Sequence, residues 1–124
     1  MSGDALMLSG SGLRGVMGTS LTAEVAQRFA GALADWVKAG RRGKGRATIV
    51  LGRDGRRGSD VFSSLARAAV LARGVDVLDL DIAMTPTVGV VVDRSGADAG
   101  LVVTASHNPQ MWCGLKPVVR LGGA

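Results

Sequence analysis

The sequence predicts a layered α/β domain on a mixed, mainly parallel sheet. Three observations carry that prediction. Helical and strand-like apolar patterns alternate along the chain, the strand-like runs are short and rich in branched residues, and polar loops follow their carboxyl ends. With 124 residues the chain is one domain by length, 1–124, able to bury a core without disulfide or metal staples.

The elements follow in order. From Thr22 to Ala39, Val25, Phe29, Leu33, Trp36 and Val37 recur at helical spacing. Thr22 is placed to cap that helix, Glu24 complements its first turn and Gly40 ends it. "ATIVLG", 47–52, is a continuous apolar run that reads as a buried strand. Ser59 or Asp60 caps a second helix carrying Phe62, Leu65, Ala66, Ala69 and Val70, closed near Gly74. "VDVLDL", 75–80, alternates as a strand does, and a short third helix is expected at about Thr87 to Arg94. "GLVVTA", 100–105, is the next strand and "LKPVVRL" another. The αβ rhythm repeats three times without a sequence repeat behind it. "GRDGRRGS", "DIAMTP" and "TASHNP" therefore lie at the carboxyl ends of strands, the edge where open α/β sheets bind ligands. The chain stops after a strand, so it is expected to continue or to pair with something.

Composition removes several classes of function. Hydrophobic residues make up 47% and charged residues 20%, which excludes a disordered chain. No apolar run reaches the length of a membrane span, and the first residues lack the basic and apolar regions of a secretory signal. Cys113 is the sole cysteine, so no intrachain disulfide forms and a reducing cytoplasm is the expected setting. The net charge of +5 invites a nucleic-acid reading, and its densest patch is "RRGKGR", 41–46. Single-strand binders also need stacking aromatics, and two Trp, two Phe and no Tyr do not supply them. The patch reads as a solvated loop, and anionic small molecules suit the charge equally well.

The chemistry concentrates in "VVTASHNPQMWCGLK", 102–116. Ser106 precedes His107, the only histidine, but consecutive side chains in extended backbone point to opposite faces, which disfavours a Ser–His dyad. A phosphoryl-carrying serine needs cations and backbone N–H groups instead. Arg14, Arg53, Arg56 and Lys116 lie on segments able to converge there, and Asn108-Pro109 favours a turn.

"TASHNP" followed by "GLK" resembles the active-site loop of the α-D-phosphohexomutases, the phosphoglucomutase/phosphomannomutase family. "SGLRGVMGTSLTAE", "GRDGRRGS" and "MTPTV" are similar to three further family segments, in the same order, all from the first of four domains. The resemblance implies the α/β/α fold of that domain, with a phosphoserine loop near 104–109 and domains II–IV absent. It implies that Ser106 carries a phosphoryl group exchanged with the 1- and 6-hydroxyls of a hexose phosphate. His107, Lys116 and Arg14 would line the site as catalytic groups, with Thr104, Asn108 and Gly114 shaping the loop. Mg²⁺ would bind a Ser106 phosphoryl oxygen and aspartates of the second domain, and a hexose 1,6-bisphosphate would load the serine. The partners implied are a hexose phosphate and domains II–IV or another chain, with self-association through an exposed apolar face. Nucleic acid and membrane are not expected, and the isolated chain is expected to turn over little.

A second reading is a non-catalytic module that binds phosphorylated ligands or a protein partner through the same loops. Arg53, Asp54 and Arg56 read as an ion-pair and turn cluster, Asp76, Asp79 and Asp81 as solvated strand-end carboxylates, and Trp36 and the methionines as packing residues. Four positions depart from the family pattern: Cys113 for asparagine, Gly58 for serine, Asp81 for glycine and Met84 for proline. Trp112 is placed either to cover a sugar face or to fill a seam to another domain.

Overall fold

The computed structural model describes residues 7–9, 12–41, 43, 45–104 and 112–119. They form β1 (Met7–Ser9), β2 (Gly12–Val16), α1 (Ala23–Gly40), β3 (Thr48–Arg53), α2 (Ser59–Ala72), β4 (Asp76–Ile82), α3 (Thr85–Ser95), β5 (Ala99–Thr104) and β6 (Trp112–Val118). One six-stranded sheet runs β1-β2-β6-β5-β3-β4. β4, β3 and β5 are parallel, while β6, β2 and β1 continue antiparallel. The mixed α/β fold expected of the sequence is present, with its parallel strands on the β4 side.

Strand alternation sends side chains to two separate cores. Ile49, Leu51, Leu101, Val103, Leu115 and Leu13 face α1 and α2. Val50 and Val102 face α3, where they meet Val88 and Val92. Gly52 and Gly100 lie under α3, and a Cβ on either would stand 2.6 and 2.7 Å from a Val88 methyl. The helix packs onto the sheet at that distance because two side chains are missing beneath it.

Thr22 caps α1 as expected, its hydroxyl accepting from the Val25 N–H at 3.3 Å. The helix buries a different stripe from the large apolar one: Ala26, Ala30, Gly31, Ala34 and Val37. Val25, Phe29 and Leu33 pack beside it, but Trp36 is 61% exposed and is not a core residue. Small residues let α1 and α2 lie close together, a preference the apolar pattern does not show. Among the methionines, Met17 packs against the core and lies over Gly58, whereas Met84 is 76% exposed.

Other boundaries differ from expectation as well, β4 for one running on to Ile82. The N-cap of α2 is Gly58, at φ 97 and without a side-chain cap, while Ser59 is the first helical residue and fully buried. α3 begins two residues early, at Thr85, because Pro86 is tolerated in a first helical turn. β6 begins at Trp112, ahead of "LKPVVRL", and the β1–β2 hairpin was not expected. None of the described helices is long and apolar enough to cross a membrane.

Two cations of "RRGKGR" are engaged in holding the fold. Arg41 grips both Asp98 oxygens at 2.9 and 3.0 Å, and Arg46 reaches Asp76 at 2.7 Å. Asp98 also accepts from the Thr48 N–H at 2.9 Å, so Arg41 ties the end of α1 to the starts of β3 and β5.

Candidate active site

Residues directly opposite on neighbouring strands share a sheet face. Thr104 pairs with Gly114, Gly114 with Arg14, and Val102 with Lys116. Val102 faces α3, so Thr104, Gly114, Arg14 and Lys116 all project from that face. Trp112 continues the row opposite Val16, half-buried. The structure thus brings four predicted site residues to one face, where β5 ends and the serine segment begins.

Gly114 is required by its neighbour. A Cβ there would meet Arg14 Cγ and the Leu13 carbonyl oxygen, each at 2.9 Å. The arginine stem therefore crosses the strand where a side chain is missing, which sets where its guanidinium emerges. Gly114→Ala is expected to displace Arg14 and to weaken the domain by about 1–2 kcal/mol, readable by denaturant titration. Lys116 is exposed on the same face. Ser106, His107 and Asn108 lie outside the described residues.

Arg53 and Arg56 do not join this row. β3 is three strands from β2, roughly 14 Å at ordinary strand spacing. Arg53 pairs with Asp81 at 2.8 Å. Asp54 accepts the Arg56 N–H at 3.1 Å in a local turn, so the cluster is of the ion-pair and turn kind expected. Asp81 sits at φ 61, where the strand register shifts between Leu51 and Arg53. Asp81, where the family pattern has glycine, takes a left-handed backbone, which aspartate tolerates better than most residues. Asp76, at the start of β4, approaches Arg46, and Asp79 approaches Arg67 from the middle of the strand, not from its end as expected.

An open cavity of about 250 Å³ adjoins Thr104 at the same sheet edge, lined also by Arg53, Asp54, Ile82, Met84 and Thr85. It combines apolar walls with one guanidinium, one carboxylate and two hydroxyls. No three His, Cys, Asp or Glu among the described residues are placed to hold a metal ion. The described residues do not by themselves fit a magnesium site.

Cys113 points away from this face, buried in the α1/α2 core. Burial, and then the Asp54 carboxylate, push its thiol up from 9.0 to about 11, against contacts with Gly114 and Ser59 that pull it back. The folded chain therefore keeps a proton that the unfolded chain releases above pH 9, and stability falls as pH rises from 9 to 11. Cys113→Ala is expected to remove roughly 2 kcal/mol of that alkaline decline, read from the slope of unfolding free energy against pH.

The family model described as phosphoglucomutase/phosphomannomutase, alpha/beta/alpha domain I, matches residues 6–124. The chain belongs to the phosphoglucomutase/phosphomannomutase family. It is 39% identical to a probable phosphoglucosamine mutase of Thermococcus kodakarensis over 86% of this chain and 22% of that protein. It is 38% identical to a phosphoglucosamine mutase of Corynebacterium efficiens, over 85% of this chain and 24% of that one. A crystal structure from Thermus thermophilus, of a protein assigned as a phosphomannomutase, superposes with a TM-score of 0.80 at 26% identity. That match covers 92% of this chain and 25% of the other. The chain thus spans about a quarter of the length of the relatives it matches and corresponds to their domain I.

Proposed function

We propose that this chain is the phosphoserine-bearing domain of an α-D-phosphohexomutase, with Ser106 as the phosphoryl carrier. The observation that carries the reading is the row Thr104–Gly114–Arg14, with Lys116 beside it, on one face where β5 runs into "ASHNP". In the transfer, a sugar hydroxyl oxygen bonds to phosphorus as the bond from phosphorus to Ser106 Oγ breaks, and the other hydroxyl later returns a phosphoryl group. The sugar hydroxyl's proton passes to a neighbouring base, for which His107 is the candidate. Arg14 and Lys116 are the cations available to the equatorial phosphoryl oxygens, where charge spreads in a loose transition state. Mg²⁺, where bound, would spread the same charge. Among the described residues no group of carboxylates is placed to hold it, and no step is routed through the ion.

The substrate proposed is a hexose phosphate, loaded through a hexose 1,6-bisphosphate. The 124-residue polypeptide alone is expected to show no sustained mutase turnover, because positioning supplies much of the rate in such transfers. The direct test is intact mass before and after incubation with glucose 1,6-bisphosphate and Mg²⁺. A gain of about 80 Da mapping to Ser106 supports the carrier role. A gain mapping to another residue, or none in this chain and none when the other domains are supplied, would refute it.

A further inference from the structure

Asp54, at the end of β3, holds three elements at once. Its Oδ1 accepts the Ser59 hydroxyl at 2.5 Å, and its Oδ2 accepts the Thr104 hydroxyl at 3.0 Å. Its own N–H donates to the Val103 carbonyl at 3.0 Å. Ser59 opens α2 and is fully buried, and Thr104 is the last residue of β5. Beyond the serine segment the chain re-enters the sheet at β6, where Cys113 is buried and its thiol meets both Ser59 and the Asp54 charge. One carboxylate therefore reaches the point where the chain leaves the sheet and, through Ser59, the point where it returns.

We propose that Asp54 is a positioning residue for Ser106, clamping the end of β5 against the start of α2 so that the serine segment departs from a fixed point. This rests on the phosphoryl-carrier reading above. Asp54 touches neither sugar nor phosphoryl in this role. It acts through Thr104 and Ser59, two hydroxyls that would otherwise choose other partners. Transfer between a serine and a sugar hydroxyl tolerates little misplacement, since an error of about 1 Å can cost 10²-fold. A carboxylate with both oxygens occupied restrains both hydroxyls together, more than one shared hydrogen bond would.

The experiment compares the 124-residue chain with Asp54→Ala, Asp54→Asn and Thr104→Val. Amide hydrogen exchange is followed over 105–111 and over α1, and Ser106 phosphorylation by glucose 1,6-bisphosphate with Mg²⁺ is timed in parallel. Asp54→Ala and Thr104→Val are expected to speed exchange in 105–111 by about tenfold while α1 keeps the parent rate, and to slow phosphorylation by about tenfold or more. Asp54→Asn is expected to stay close to the parent in both, because its amide can donate to Thr104 while its oxygen still accepts from Ser59. Thr104→Val alone decides the matter if Asp54→Ala does not fold.

The clamp is overturned if exchange in 105–111 stays within about twofold of the parent, or rises equally in α1, or is unprotected in the parent already. It is overturned equally by variants that take up phosphate as fast as the parent, or by an Asp54→Asn chain as impaired as Asp54→Ala. A parent that gains no phosphoryl group, alone and again with the other domains supplied, while the exchange pattern holds removes the carrier reading and leaves the clamp standing.

Discussion

Ser106→Ala is expected to abolish phosphoryl uptake, with the gain of about 80 Da falling below detection under conditions that load the parent fully. The bond to phosphorus forms at a hydroxyl oxygen, and alanine has none, so the loss is one of chemistry and not of degree. The Thr104 hydroxyl, two residues earlier in the chain, already donates to Asp54. Arg14→Ala should differ in kind. It leaves the serine able to react but takes away a cation from the row it shares with Gly114, so loading should slow by about 10²-fold without a change in the modified site. Lys116→Ala should behave similarly, and the two effects should fail to add, because both cations would serve one phosphoryl group. Intact mass with peptide mapping separates these outcomes. Uptake that persists at another residue in Ser106→Ala would end the carrier reading.

The family was legible in "TASHNP" and "GLK", but the strand geometry beside "GLK" was not. What no spacing rule gives is that Arg14, about a hundred residues earlier in the chain, pairs with Gly114 and crosses it. That contact needs the antiparallel placement of β2 beside β6, and the residues of β2, "GLRGV", are too rich in glycine to read as a strand. The helices were legible through their large apolar residues, yet α1 buries its alanines and leaves Trp36 in solvent. Periodicity marks which side of a helix is apolar. It does not show how closely the next helix approaches, and here a close approach selects the small residues.

Asp54 shows another kind of shortfall. Its position in "GRDGRRGS" predicts a turn, and the turn is there, with the Arg56 N–H on Oδ1. The second oxygen reaches Thr104, fifty residues away, and nothing local records that. Asp81 was legible only as a departure from a glycine. In the structure it takes a left-handed backbone at the irregularity between β3 and β4, a conformation that glycine adopts without strain.

Gly52→Ala and Gly100→Ala are each expected to destabilise the domain by about 1–3 kcal/mol, although alanine is usually the better residue outside turns. At Gly52 the new Cβ would stand 2.6 Å from Val88 Cγ2 and 3.3 Å from both the Ala83 Cβ and its carbonyl oxygen. At Gly100 it would meet Val88 Cγ1 at 2.7 Å, Val92 Cγ2 at 3.0 Å and Val118 Cβ at 3.3 Å. Val88 and Val92 are fully buried and branched at Cβ, so neither can swing aside, and α3 itself must lift from the sheet. Lifting α3 also moves Thr85 and Met84, which line the cavity beside Thr104, so Gly52→Ala should impair Ser106 loading as well as stability. Gly40→Ala is the control. It closes α1, has no atom within 4 Å of the added Cβ, and should be neutral or stabilising by up to about 1 kcal/mol. Thermal melts of the three variants should therefore move in opposite directions, with losses of roughly 5 °C per kcal/mol for the two buried glycines. Gly52→Ala and Gly100→Ala chains that melt with the parent would mean that α3 does not rest on those glycines.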